Sequence, residues 1–105
     1  MNTLFWNCRG AGGAATVREI RELANKTAPT ILCIIETQID KGRVEAMKGD
    51  LGFDCSFAID SQGRSGGIGV FWKDSIKLEI LGSSCYHIDC SVTEGNDDPW
   101  RLTCV

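Results

Sequence analysis

The 105 residues predict a single α/β domain spanning 1–105, and three observations carry that prediction. An apolar stretch, an amphipathic helical stretch and a second apolar stretch follow one another within residues 3–35, the layout of a βαβ unit. Beyond it, short apolar or alternating runs recur between turn signals at 55–59, 68–72, 76–94 and 100–105, and read as further strands. The composition, 43% hydrophobic and 24% charged, is that of a globular chain rather than a disordered one. A chain of this size can bury about 60–70% of its unfolded surface, enough for a modest core.

Residues 3–6 read as the first strand. Over 17–27 the residues Val17, Ile20, Leu23, Ala24 and Thr27 share one face, with Arg18, Glu19, Arg21, Glu22, Asn25 and Lys26 on the other, so this segment predicts a helix. Thr16-Val17-Arg18-Glu19 has the form of a capping box at its start, and Pro29 forbids its continuation. The run "TILCII" at 30–35 is continuously apolar, as a strand covered on both faces would be, and should lie parallel to the first strand. A weaker helix is expected over 42–51, with Val44, Met47 and Leu51 on one face. Strands at 55–59 and 68–72 bracket a loop at 60–67, and residues 76–94 read as two strands meeting near Gly82-Ser83-Ser84. In the second of these, Tyr86, Ile88, Cys90 and Val92 alternate with His87, Asp89, Ser91 and Thr93, which places His87 on the outer face. A turn at 94–99, whose Asp97 and Asp98 suit Asx chemistry, leads to a last strand at 100–105. Trp6, Trp72 and Trp100 all fall within strands and read as core.

The six cysteines, Cys8, Cys33, Cys55, Cys85, Cys90 and Cys104, form no C-x-x-C pair, and a single histidine is present to complete a zinc set. Read as buried, reduced thiols, they imply a nuclear or cytoplasmic setting rather than a secreted one. Neither a leader pattern nor an apolar run of ~20 residues occurs, so no membrane association is expected. Net charge is −3 and the pI about 5.0, so any affinity for nucleic acid would need local charge or a bound metal.

Two features of "LFWNCRGAGGAATVREI" compete for the function. Gly10, Gly12 and Ala15 have the G-x-G-x-x-A spacing of a dinucleotide-binding turn, and Glu36 ends the next strand where a ribose-binding acid would stand. Against this, Asn7-Cys8-Arg9 separates the glycines from the strand, and the capping box starts the helix too late for Gly10 or Gly12 to lie at its mouth. The other reading starts from Asn7 and Glu36, which end parallel neighbouring strands and emerge on the carboxyl edge where open α/β sheets place their sites. One carboxylate and one amide suit Mg²⁺, which keeps several waters. Spacing alone favours the plainer view that both are the first solvated residues past their strands.

The segments "FWNCRG", "ILCIIET" and "GRSGGIGVFW", in this order and at these separations, resemble the N-terminal half of the endonuclease/exonuclease/phosphatase superfamily, the DNase I and apurinic-endonuclease type. The likeness is closest to endonuclease domains of plant LINE-type (non-LTR) retrotransposons. It implies half of a four-layered α/β/β/α sandwich and a parent chemistry of Mg²⁺-dependent DNA nicking, with Mn²⁺ as a substitute ion. Asn7 matches the first-strand asparagine that organises the active site, and Glu36 the metal-binding glutamate. Arg9 and Arg64 are candidate phosphate contacts, and Ser65-Gly66-Gly67 matches a structural small-residue turn. The family's later tyrosine, Asp-x-Asn segment and Asp-His pair have no counterpart here, so the chain alone is expected to be an inactive fragment. Alternatives are a non-catalytic remnant that binds a partner, or a second copy of itself, through an open sheet surface, and a small nucleotide-binding domain using Gly10 and Gly12.

Overall fold

The computed structural model describes residues 2–63 and 65–105. Strand β1 (Thr3–Asn7) runs parallel to β2 (Ile31–Ile35), with Thr3 opposite Ile31 and Asn7 opposite Ile35, and helix α1 (Ala14–Thr27) makes the crossover. Helices α2 (Lys41–Glu45) and α3 (Lys48–Leu51) lead to β3 (Cys55–Ile59) and β4 (Ile68–Trp72). Both later strands join antiparallel, so the first sheet has the order β1-β2-β4-β3. Strands β5 (Lys77–Ser83), β6 (Ile88–Thr93) and β7 (Trp100–Cys104) form a separate antiparallel meander.

The two cores explain why "TILCII" is apolar throughout. Leu32 and Ile34 point toward the helices and pack with Ile20, Ala24, Val44 and Phe71. Ile31 and Cys33 point the other way, into a core shared with Val70, Ile88, Cys90, Val92 and Cys104 of the facing sheet. A strand enclosed on both sides has no use for polar residues. The contact of α2 with β4 is so close that a Cβ on Gly69 would lie 2.6 Å from Val44 Cγ1.

The three helices all cover the first sheet, and the second sheet turns a polar face outward through Glu79, Asp89, Ser91, Arg101 and Thr103. Arg101 hydrogen-bonds Asp89 there and holds its carboxyl below the usual range, while Thr103 donates to the same carboxylate at 3.2 Å. The layers within these residues are therefore helix, sheet, sheet. No helix among the described residues is long and apolar enough to cross a membrane.

Four expectations need correction. Helix α1 starts at Ala14, not Val17: its N-cap is Gly13, no side chain caps it, and Thr16 and Glu19 lie inside the first turns. The capping box is overruled because the preceding loop is tied to the β2 exit and delivers the chain to the helix early, where Ala14 and Ala15 sustain a first turn uncapped. Residues 42–51 form two short helices, with a side-chain cap at Asp40, whose Oδ2 accepts from the Arg43 amide at 3.1 Å. Gly42 and Gly49 weaken the segment as one continuous helix.

The alternation in β6 does not extend back to Tyr86 and His87. These lie in the β5–β6 connection, closed by Ser84 N donating to His87 O at 2.9 Å, a 2.6 Å bond between Ser84 Oγ and His87 Nδ1, and Tyr86 N donating to Ser84 Oγ at 3.0 Å. Tyr86 is consequently 79% exposed. Trp6 and Trp72 pack against the cores, but Trp100 is 37% exposed near the start of β7.

All six cysteines are free: Cys8, Cys33, Cys90 and Cys104 are buried, and Cys55 and Cys85 partly so. A hydrogen bond with Cys104 and burial push the Cys33 thiol up, burial raises that of Cys8, and burial pushes Cys90 up to about 12. Because the unfolded chain loses these thiol protons first, folding stability is full below about pH 9 and falls as pH rises toward 12. Two outcomes are expected. A thiol-reactive dye modifies two cysteines quickly and four only on unfolding, and urea midpoints drop between about pH 8 and about pH 10.

Candidate active site at the exits of β1 and β2

Parallel pairing in register makes β1 and β2 end together, with Asn7 beside Ile35. The pairing continues past both strands: the amides of Cys8, Gly10 and Ala11 donate to the carbonyls of Ile35, Glu36 and Thr37 at 3.1, 2.7 and 2.7 Å. Two of the glycine-loop amides are thereby consumed, leaving them unable to cradle a pyrophosphate. This bonding counts against the dinucleotide alternative even though α1 begins earlier than the sequence suggested.

Backbone strain gathers at this edge. Arg9, Glu36 and Gln38 adopt positive φ of 48°, 55° and 58°, and Gly10, Gly66 and Gly67 lie at 108°, 74° and 92°. A non-glycine residue in the left-handed region is uncommon, and such residues concentrate at functional sites. At Arg9 the bend is stabilised by Asn7, whose Oδ1 accepts from the Arg9 amide at 3.1 Å. The Glu36 bend is held from the other side, where Thr37 N and Gln38 N donate to Gly67 O and Gly66 O at 3.3 and 2.9 Å. Thr37 is fully buried and its Oγ1 has no hydrogen-bond partner; it packs onto Gly67, where a Cβ would overlap it outright. Gly66-Gly67 is thus the clamp that shapes the Glu36 turn, in keeping with the structural role expected for it.

The sequence candidates separate into two hollows with no lining residue in common. Asn7 and Arg9, both exposed, line a cavity of about 380 Å³ with Trp6, Cys8, Thr16 and Glu19. Glu36, also exposed, lines a shallower one of about 130 Å³ with Ile35, Gly66, Gly67, Ile68, Cys85, Tyr86 and Val105. Arg64 lies outside the described residues. Among the described residues the ion pairs are Lys77–Glu79 and Arg101–Asp89, both on the second sheet, and Glu36 belongs to neither.

Sequence reasoning missed Gln38, whose Oε1 sits over Gly10, and Tyr86, which reaches the Glu36 hollow. For Gln38 no pattern announced a left-handed turn; for Tyr86 the polar Gly82-Ser83-Ser84 run was a signal that the turn extended further. His87, bonded to Ser84, takes no part in the edge.

Among the described residues no cluster of three or more His, Cys, Asp or Glu side chains could hold a metal ion. A closed zinc cage does not fit such a donor set. A hydrated Mg²⁺ does, since it needs only one or two protein carboxylates and carries its own waters. The exposed Glu36, held on a strained turn without a cationic partner among the described residues, meets that requirement.

The model of the Endonuclease/Exonuclease/phosphatase family matches residues 4–105. The chain belongs to that family. Family membership assigns the DNase I-like fold, and solved structures agree. An AP endonuclease from Leishmania major superposes with TM-score 0.61 at 16% identity, covering 95% of this chain and 38% of its own. A 3'-5' exonuclease from Neisseria meningitidis gives 0.60 at 14% identity, covering 98% and 40%. An AP endonuclease from Archaeoglobus fulgidus gives 0.60 at 16% identity, covering 86% and 37%. This chain thus spans about two-fifths of the length of those structures. Comparison with curated proteins returned no match.

Proposed function

We propose that residues 1–105 form one unit carrying the metal and phosphate corner of a DNA-nicking phosphodiesterase of the LINE-type retrotransposon kind, as in plants. The observation that supports this most is the strained edge where Asn7 and Glu36 leave neighbouring parallel strands. One similar structure, a Neisseria 3' phosphatase, was solved with a product DNA hairpin. Glu36 would be the carboxylate ligand of Mg²⁺, or of Mn²⁺ in its place, and Asn7 the neighbouring amide. Bound there, the ion would neutralise charge developing on the phosphate and steady the leaving oxygen. Asn7 itself orients the site by fixing the Arg9 bend, and Arg9, with Arg64, would contact phosphates along the strand. Hydrolysis adds one water across a P–O bond, and a nick left with a 3′-hydroxyl can prime reverse transcription. Free thiols at all six cysteines accord with a reducing, nuclear or cytoplasmic setting.

With the family's later catalytic residues absent from these 105, the chain alone is expected to bind plasmid DNA in Mg²⁺ without nicking it. EDTA or Glu36→Ala should weaken that binding. Binding by folded protein that is indifferent to both would sink the proposal. Nicking that vanishes in both controls would instead overturn the expected inactivity. A second reading, a self-associating module, draws on Phe5, which is 50% exposed on the β1 face that carries Thr3 and Asn7. Sedimentation of the wild type against Phe5→Ser tests it.

A further inference from the structure

We infer that Tyr86 is a substrate-contacting residue that stacks on a nucleobase flanking the phosphate held at the β1–β2 edge. The inference rests on the DNA reading above and adds a contact from the second sheet. Tyr86 belongs to the β5–β6 connection, yet it lines the same hollow as Glu36, Gly66 and Gly67. It is 79% exposed, the most exposed of the large apolar side chains among the described residues. A ring this exposed has its face free to stack on a planar partner.

The backbone under it is tied by three hydrogen bonds. Ser84 accepts from the Tyr86 amide, bonds His87 Nδ1 and donates its own amide to His87 O, so the turn is closed on both sides of Tyr86. Only the side chain is unrestrained, and its surroundings in the hollow are mainly apolar: Ile35, Ile68, Cys85 and Val105. An apolar shelf with an aromatic rim, next to an exposed carboxylate, suits the flat face of a base beside a metal-bound phosphate. Among the described residues its lining carries no cation, and its apolar share favours a base over a second phosphate. Base stacking tolerates any sequence, so Tyr86 would add affinity and register without base preference.

Tyr86 is the chain's one tyrosine, so 3-fluorotyrosine labelling gives a single ¹⁹F resonance reporting on it. A short fluorescein-labelled duplex, added to the 105-residue chain in Ca²⁺ and in Mg²⁺, provides anisotropy from the DNA and ¹⁹F shift from the protein. Binding should move the resonance. Tyr86→Ala should weaken binding roughly tenfold, and Tyr86→Phe should retain it within about twofold, since the ring and not the hydroxyl makes the contact. DNA binding with an unmoved resonance and an unchanged affinity in Tyr86→Ala would overturn the inference and leave the nuclease reading intact. Failure of folded wild-type protein to bind the duplex would overturn that reading, and the inference with it.

Discussion

Gly67→Ala is expected to lower folding stability by about 2–5 kcal/mol and to collapse the Glu36 turn. Two costs combine. The backbone at Gly67 has φ of 92°, where an L residue is strained by roughly 1–2 kcal/mol. The new methyl would also overlap Thr37 Oγ1 and crowd Gln38 N at 3.3 Å, and forced overpacking costs about 1–3 kcal/mol. Neither neighbour can retreat: Thr37 is fully buried, and its amide is bonded to Gly67 itself. Urea denaturation measures the loss. The double variant Gly67→Ala/Thr37→Ala separates the two costs, because removing the hydroxyl relieves the overlap and leaves the φ strain. Full additivity of the two single changes would show that Thr37 and Gly67 are not in the contact described.

Glu36→Gln should sharply weaken divalent-ion binding at the site proposed for the β1–β2 edge while leaving the fold unchanged. The side chain is exposed and anchors nothing in either core, so urea midpoints should move little. The substitution keeps the shape and removes one full charge from a hard-oxygen ligand, enough to weaken Mg²⁺ or Mn²⁺ by more than about tenfold. Mn²⁺ broadens amide resonances near its site, so residues 7–10 and 35–38 should broaden in the wild type and stay sharp in the variant. Asn7→Ala should reduce the effect less, since an amide carries no charge. Equal broadening in Glu36→Gln and wild type would place the ion elsewhere and remove Glu36 from the proposed site.

Most strands were legible because their cause is local. At 55–59 and 68–72 the expected and observed strands coincide, since short apolar runs between turn residues have one way to be buried. The βαβ unit and its parallel pairing followed from the same logic, as did the arrival of Asn7 and Glu36 at one edge. The capping box at Thr16 was legible too, and it misled: a local preference of about 1 kcal/mol yielded to a loop already bonded to the neighbouring strand. Tyr86 failed for the opposite reason. Period-two alternation has no built-in end, and only the Ser84–His87 hydrogen bonds show where β6 begins.

The sequence by itself determined most of the strands, the βαβ unit and the arrival of Asn7 and Glu36 at the ends of neighbouring parallel strands, because apolar burial and turn chemistry act over a few neighbouring residues. Tertiary structure alone decided three things: the left-handed turn that presents Glu36, the loss of the glycine-loop amides to the β2 exit, and the placing of Tyr86 beside the carboxylate. Each depends on contacts between segments tens of residues apart. Their energies are set by which carbonyl, hydroxyl or methyl arrives from the other segment, and no local pattern encodes that.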